Sequence, residues 1–274
     1  MAERLRIGWF ATGRGEGSRN LLRAAVDAIR DGRLNAEIAF VFCNRDPGEF
    51  EPTDVFLEQA RSYGIPVITL SSRKFRRAHD GVRARPGEPL PEWRHAYDRR
   101  VASMLPPFDI GMLAGYMLIA TEELCERFPL LNLHPAAPGG PAGTWQEVIW
   151  QLIAEGATSS GVRIHLATTE LDAGPVVTYC TYSLRGPGID ELWRDVECRT
   201  MQEARAEKGE ELPLFKEIRR RGAARELPLV VETLRAFADG RLRIVERRPY
   251  RDSEPIEGGL DLTPEVEAAL GEMR

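Results

Sequence analysis

Residues 5–43 read LRIGWFATGRGEGSRNLLRAAVDAIRDGRLNAEIAFVFC, and the order of patterns in this stretch decides the fold. Leu5–Ala11 is a short apolar run, followed by the Gly-rich TGRGEGS. Leu21, Leu22, Ala25, Val26 and Ile29 then recur at the spacing that puts them on one helix face, with Ser18 as the expected N-cap and Gly32 near the expected stop. Ile38–Cys43 is apolar throughout, as in a strand covered on both faces. Working outward, residues 53–63 carry helical spacing and Ile65–Leu70 reads as a strand. Strand, helix, strand, helix, strand in that order implies a parallel sheet with right-handed crossovers, so the fold class is α/β, with a mostly parallel central sheet.

Beyond residue 70 the pattern is interrupted. Residues 71–91, SSRKFRRAHDGVRARPGEPLP, are basic, rich in Pro and Gly and without apolar periodicity, which predicts a loop or lid. Helix is expected at 92–105, strand at 109–114, a short helix near 121–127 and strand at 130–134. Thr144-Trp-Gln-Glu147 has capping-box spacing ahead of the apolar face Val148, Ile149, Leu152, Ile153. From Gly161 the period changes to two: Val162, Ile164 and Leu166 face one way, Arg163 and His165 the other. Residues 175–183 read as a second strand that forms an antiparallel hairpin with it. Residues 189–222 are charged and helical, Leu227 to Phe237 line a last helix, and 241–246 reads as an edge strand before a Pro/Gly/Glu-rich tail.

Composition narrows the function classes. The chain has 274 residues, a net charge of −5 and 43% hydrophobic residues, an ordinary globular balance that argues against a general nucleic-acid binder. Only Lys74, Lys208 and Lys216 among the 37 basic residues are lysine, a skew that codon bias explains more readily than anion binding does. No apolar run approaches the ~20 residues of a membrane span, and the start lacks the pattern of a secretory signal. Cys43, Cys125, Cys180 and Cys198 are scattered without CxxC spacing, so neither a zinc site nor a disulfide framework is indicated. A cytoplasmic setting without membrane or nucleic-acid partners is the expectation.

The chemistry concentrates in two segments. In Leu131-Asn-Leu-His-Pro135, Asn132 and His134 share one face of a strand, which ends in Pro and the Gly-rich AAPGGPAG. Ligands collect at such carboxyl ends of parallel strands. In Glu170-Leu-Asp-Ala-Gly-Pro175, Gly174-Pro175 makes a turn that leaves Asp172 on a loop, its carboxylate able to point back toward the site. Taken singly, a satisfied strand end and an ordinary turn residue are the better explanations of these segments.

Asn-Leu-His-Pro followed by His165-Leu-x-x-x-Glu-Leu-Asp-Ala-Gly-Pro resembles the folate-dependent formyltransferase family, in particular its glycinamide ribonucleotide branch. Leu113-Ala-Gly-Tyr-Met117, Arg94-His-Ala-Tyr-Asp98, Phe128-Pro129 and Phe237-Ala-Asp-Gly-Arg-Leu242 are similar to further segments of that family, in the family's order. The resemblance implies a Rossmann-like formyltransferase fold with an antiparallel C-terminal part. It also implies transfer of a formyl group from 10-formyltetrahydrofolate to a small amine, glycinamide ribonucleotide in purine biosynthesis, without a metal. By the resemblance Asn132, His134 and Asp172 are catalytic and His165 supports Asp172 from behind. Met117, Leu118, Ile119, Thr168, Glu170 and Leu171 line the folate; Gly15, Glu16, Gly17, Ser18, Arg94 and Glu226 meet the amine substrate and its phosphate. The chemistry suits these residue types: a tetrahedral intermediate needs preorganised donors for its oxyanion, and a carboxylate near a histidine favours the charged, donating form.

The sequence departs from the family in the Gly-rich loop, where Glu16 stands at the phosphate position, in Leu118 where the family has arginine, and in Ala136–Gly140 after His-Pro. These departures leave open another amine such as an amino sugar, hydrolysis of 10-formyltetrahydrofolate, or a non-catalytic folate-binding protein. A dinucleotide-binding oxidoreductase would want an acid at the end of the second strand, which here ends Cys43-Asn44. The expected organisation is one catalytic domain over residues 1–245, with a basic loop 71–91 and a helical insertion at about 190–225, then a C-terminal extension 246–274. None of these additions shows the periodicity of a second core. A homodimer is compatible with the chain.

Overall fold

The computed structural model describes residues 3–83, 88–197 and 205–272. Cys198, part of the 71–91 stretch and part of the 190–225 insertion lie outside the described residues. In chain order the elements are β1 Leu5–Ala11, α1 Glu16–Arg30, β2 Ala36–Cys43, α2 Glu51–Ser62, β3 Val67–Thr69, α3 Ser72–Ala78, α4 Glu92–Met104, β4 Ile110–Leu113, α5 Glu122–Cys125, β5 Leu130–His134, α6 Trp145–Ala154, β6 Ser159–Leu166, β7 Val176–Ser183, α7 Ile189–Glu197, α8 Pro213–Ala238, β8 Leu242–Val245, β9 Arg248–Arg251, β10 Glu254–Pro255, β11 Leu260–Asp261 and α9 Thr263–Glu272. Among the described residues no helix is long and apolar enough to cross a membrane.

The chain divides into two compact units. The first holds the chain through Asn132, then His165–Pro175 and Leu234–Pro255. Its strands run β3-β2-β1-β4-β5, every neighbouring pair parallel, as the alternation of strand and helix requires. Phe10, Phe40 and Phe42 project to one side and pack with Tyr97, Val101 and Ala102 of α4 and Leu124 of α5. The alternate residues Trp9 and Val41 are fully buried as well, so the opposite face is covered too. Burial on both faces explains why β2 is apolar over its whole second half. A separate antiparallel sheet, β10-β9-β8, ends this unit.

The second unit holds Leu133–Ile164, Val176–Thr233 and the chain from Ile256 onward. Leu184 N donates to Thr158 O in the antiparallel sense expected of a β6–β7 hairpin, and β11 adds to β7 in parallel. Thr144 caps α6 by accepting from Glu147 N while Glu147 accepts in return from Thr144 N, a complete capping box.

Three local expectations change. Residues 71–91 are not all loop, because Ser71 Oγ accepts from Lys74 N and starts α3. Helix α1 begins at Glu16 with Gly15 as its N-cap, which places Ser18 inside the first turn. On β6 both faces are buried: Arg163 Nη1 donates to Ala137 O at 2.7 Å, and His165 is 2% exposed. The charged insertion and the final helix are continuous through Pro228 in α8, and Leu212, Leu214, Phe215 and Ile218 are buried, so this region supplies core. Phe215 packs against Trp145 and Trp150, with ring centroids 5.9 and 4.9 Å away.

Candidate active site

Within the first unit, β5 and the end of β6 bring Asn132 and His165 together, and the loop after β6 returns Asp172 to them. Asn132 Nδ2 lies 3.2 Å from His165 Nε2 and 3.4 Å from Asp172 Oδ1. His165 Nε2 and Asp172 Oδ1 are 3.5 Å apart, and their side chains are 2% and 6% exposed. His165 Nδ1 faces the Leu166 carbonyl at 3.0 Å. A carbonyl oxygen only accepts, so Nδ1 carries a proton. The Asn132 amide donates to the Asp172 carboxylate and lies within hydrogen-bond distance of the imidazole.

The loop that carries Asp172 is closed at its base. Leu166 N donates to Pro175 O at 2.9 Å, and Ala167 N donates to Leu130 O at 2.7 Å. Gly174 is required by close approach, since a Cβ there would sit 1.7 Å from the Leu166 carbonyl oxygen. Asp172 has φ +55°, a left-handed conformation uncommon outside glycine and best tolerated by Asp and Asn. Thr168 Oγ1 donates to Glu170 O within the loop.

Two segments present apolar side chains to solvent: Met117 is 57%, Ile119 37% and Leu171 59% exposed, three of the seven large hydrophobic residues left uncovered among those described. The backbone under Met117 and Ile119 is tied down. Met117 N donates to Thr12 Oγ1 at 2.9 Å, Thr12 N to Gly115 O at 3.1 Å, and Arg94 Nη2 to Ile119 O at 2.7 Å. Leu118 is partly buried and packs on the adjoining core. Arg94 itself is 2% exposed, with Asp98 beside it at 3.4 Å. Its guanidinium is thus directed inward and meets the 117–119 segment through the Ile119 backbone. Asp98 also accepts from Thr121 N at 2.8 Å. Burial pushes the Asp98 carboxyl above its ordinary range, and Arg94 and the Thr121 N–H pull it back.

At the start of α1, Gly15 and Gly17 open onto free space, because a Cβ at either would meet nothing within 4 Å. Glu16 is exposed and Ser18 is buried. The N-terminal amides of this helix have room for a ligand, with a carboxylate beside them.

In the second unit, His134 closes β5 and is 3% exposed, its Nε2 2.9 Å from Pro141 O, so that nitrogen also carries a proton. Glu226 on α8 pairs with Arg219.

Asp98, Thr12 and Arg247 carry no signal of a site role in the sequence analysis. The first was legible only as the i+4 neighbour of Arg94 on one helix face. The others act through backbone groups of distant segments, which leave no spacing signal.

The formyl transferase family matches residues 10–182 of the chain. The chain is 26% identical over 245 residues to the phosphoribosylglycinamide formyltransferase of Escherichia coli (strain K12), covering 88% of this chain and 92% of that protein. Among solved structures, the phosphoribosylglycinamide formyltransferase of Coxiella burnetii superimposes with a TM-score of 0.65 at 22% identity, covering 94% of this chain and 99% of that one. A formyltetrahydrofolate deformylase from Pseudomonas syringae superimposes with a TM-score of 0.58 at 18% identity, covering 91% and 66%. These two likenesses carry the fold.

Proposed function

The chain belongs to the formyl transferase family, and on that premise we propose that it moves a formyl group from 10-formyltetrahydrofolate to the amine of glycinamide ribonucleotide. The observation that carries this reading is the buried Asn132–His165–Asp172 network at the ends of β5 and β6. The amine nitrogen attacks the formyl carbon, a C–N bond forms, and the carbonyl oxygen gathers negative charge. His134, on the same face of β5 as Asn132, donates to that oxygen by exchanging the bond its Nε2 makes to Pro141 O. The Asn132 Nδ2 already lies 3.2 Å from His165 Nε2 and donates to Asp172 Oδ1 over a long bond of 3.4 Å. To donate to the oxyanion it releases one of these contacts, and long apo bonds of this kind tighten or exchange when substrate arrives. Asp172 accepts the proton of the attacking amine and passes it to the folate nitrogen as the second C–N bond breaks. His165, held by Leu166 O, keeps the Asn132 amide oriented.

Met117, Ile119, Leu171 and the Thr168–Glu170 turn are suited to the folate, since exposed apolar side chains on a pinned backbone offer a flat ring a preformed surface. Leu118 lies under them, and Arg94 fixes the Ile119 end. Gly15, Gly17 and Ser18 would offer backbone donors to the substrate phosphate, with Glu226 on the amine substrate's ribose side. The exposed Glu16 favours a second reading of the acceptor alone, an amine with less negative charge than a phosphate monoester.

The test is incubation of the protein with 10-formyltetrahydrofolate and a panel of amines, with mass detection of products. Formylated glycinamide ribonucleotide supports the main reading. Another formylated amine selects the second, and free formate without any acceptor identifies hydrolysis. No turnover and no binding of a folate analogue would remove all three.

A further inference from the structure

The β8–β9 hairpin closes with Val245 opposite Arg248, leaving Glu246 and Arg247 as a two-residue turn. Both have positive φ, +47° and +61°. Such turns are the province of Asn-Gly and Asp-Gly, because only small or locally hydrogen-bonding residues take the left-handed region without strain. A glutamate and an arginine there are unfavourable for the turn itself, and strain that persists calls for a compensating role.

The Arg247 side chain supplies one. Its Nη2 donates to Ala167 O at 3.1 Å and its Nη1 donates to Cys125 O. The planar fork of the guanidinium thus joins the end of α5 to the first residue after β6. Ala167 is 8% exposed and Cys125 1%, so both carbonyls are buried groups that need donors. Ala167 N is bonded to Leu130 O on β5, two residues before Asn132. Asp172 lies five residues beyond Ala167 on the same short loop. One side chain therefore holds the base of the loop whose carboxylate meets Asn132 and His165.

We infer that Arg247 is a positioning residue for the transfer reaction: from a strained turn of the C-terminal hairpin it fixes the Ala167 end of the 167–174 loop and keeps Asp172 in register with Asn132 and His165. The inference rests on the reading of Asp172 as the proton-carrying group.

Arg247→Gly separates this role from that of an ordinary turn. Glycine suits φ +61°, so the hairpin folds at least as readily, while the guanidinium is lost. The expected result is a melting temperature close to that of the parent, with kcat lower by ~10–100-fold, the scale of a misplaced catalytic group, and the KM for formylfolate changed less than about threefold. Added guanidinium ion restores part of kcat. Glu246→Gly relieves the same turn strain, keeps Arg247 and retains full kcat. Unchanged kcat in Arg247→Gly, or equal losses in both variants, would overturn the inference. Amide hydrogen exchange over residues 167–173 is read in parallel and needs no substrate. It is expected to quicken in Arg247→Gly and not in Glu246→Gly. If the parent protein transfers no formyl group, the functional reading fails on its own, and equal exchange in parent and variant then refutes the positioning role.

Discussion

Asp172→Asn separates chemistry from architecture at the candidate site. The side chain is 6% exposed and its backbone sits at φ +55°. Asparagine fills the same volume and takes the left-handed region as readily as aspartate, so no cavity and no new strain arise. Its amide oxygen can accept from Asn132 Nδ2 as the carboxylate does at 3.4 Å. At the Asn132 contact the fold loses only the charge on one long hydrogen bond, about 1 kcal/mol or less. What the reaction loses is a base, because an amide cannot take the proton of the attacking amine. Removal of such a group lowers turnover by ~10²–10⁴, about 2.7–5.4 kcal/mol of barrier. The assay pairs urea unfolding with steady-state kinetics, following the formylated amine by mass. The expected outcome is a stability change within about 1 kcal/mol, a formylfolate KM within a few-fold, and kcat down by at least ~100-fold. A variant with kcat within threefold of the parent would refute the assignment. A kcat loss that merely tracked the unfolded fraction would refute it too.

Three further outcomes follow from local geometry. Gly174→Ala puts a methyl group 1.7 Å from Leu166 O, so the loop base must move. Calorimetry should show a loss of about 1–3 kcal/mol, accompanied by loss of transfer activity. Glu217 is held down to about 2 by hydrogen bonds from Arg220 and then Arg221. A depressed carboxylate stabilises the fold above its ordinary value and ceases to do so as pH falls toward 2. Because Arg220 is 68% exposed, the full shift is discounted to about 1 kcal/mol. Glu217→Gln should therefore cost about that much in urea unfolding at pH 7, the difference from the parent shrinking as pH falls below 4.5. Burial pushes the Cys43 thiol up to about 11 and the Cys180 thiol to about 12. Peptide mapping after brief alkylation at pH 8 should find both unmodified in the native protein and labelled only after unfolding.

What could be read from the sequence was whatever depends on neighbours in the chain. The β5 boundaries, the Thr144 capping box and the β6–β7 hairpin follow from spacing over a few residues, and the structure has each. The misreadings share a cause. Helix α3 has Phe75 as its one bulky apolar residue, so it shows no periodicity; only Ser71 three residues before Lys74 marked it. Ser18 was favoured as a cap by residue type, but an extended Gly15 starts the helix earlier. For Arg163 and His165 spacing gives a shared strand face and no more; that this face is buried comes from tertiary partners. Arg94 follows the same logic: its residue type suggests a ligand contact, while Asp98 and Ile119 O turn it inward. Polar residues disclose their chemistry in sequence, but their direction is set by groups that only the fold supplies.

The loop of residues 167–174 shows why part of the site could not be local. Asp172 is strained, and a strained residue persists only where its surroundings over-determine it. The loop's own sequence provides two restraints, the Leu166–Pro175 hydrogen bond and the tight Gly174 approach. Both act at the stem, and a stem fixed only by its own two strands can still rotate about them. The bond from Ala167 N to Leu130 O ties the stem to β5, and the Arg247 guanidinium ties it to α5 from a hairpin that follows in the sequence. Restraints from three directions remove that rotation. The C-terminal hairpin, which as a sequence reads as surplus length, therefore bears on the same short loop as the carboxylate. By contrast, a Cβ at Gly15 or Gly17 at the start of α1 would meet nothing within 4 Å. On the proposed reading, in which this helix start meets the amine substrate, acceptor preference changes there without disturbing the loop that carries Asp172.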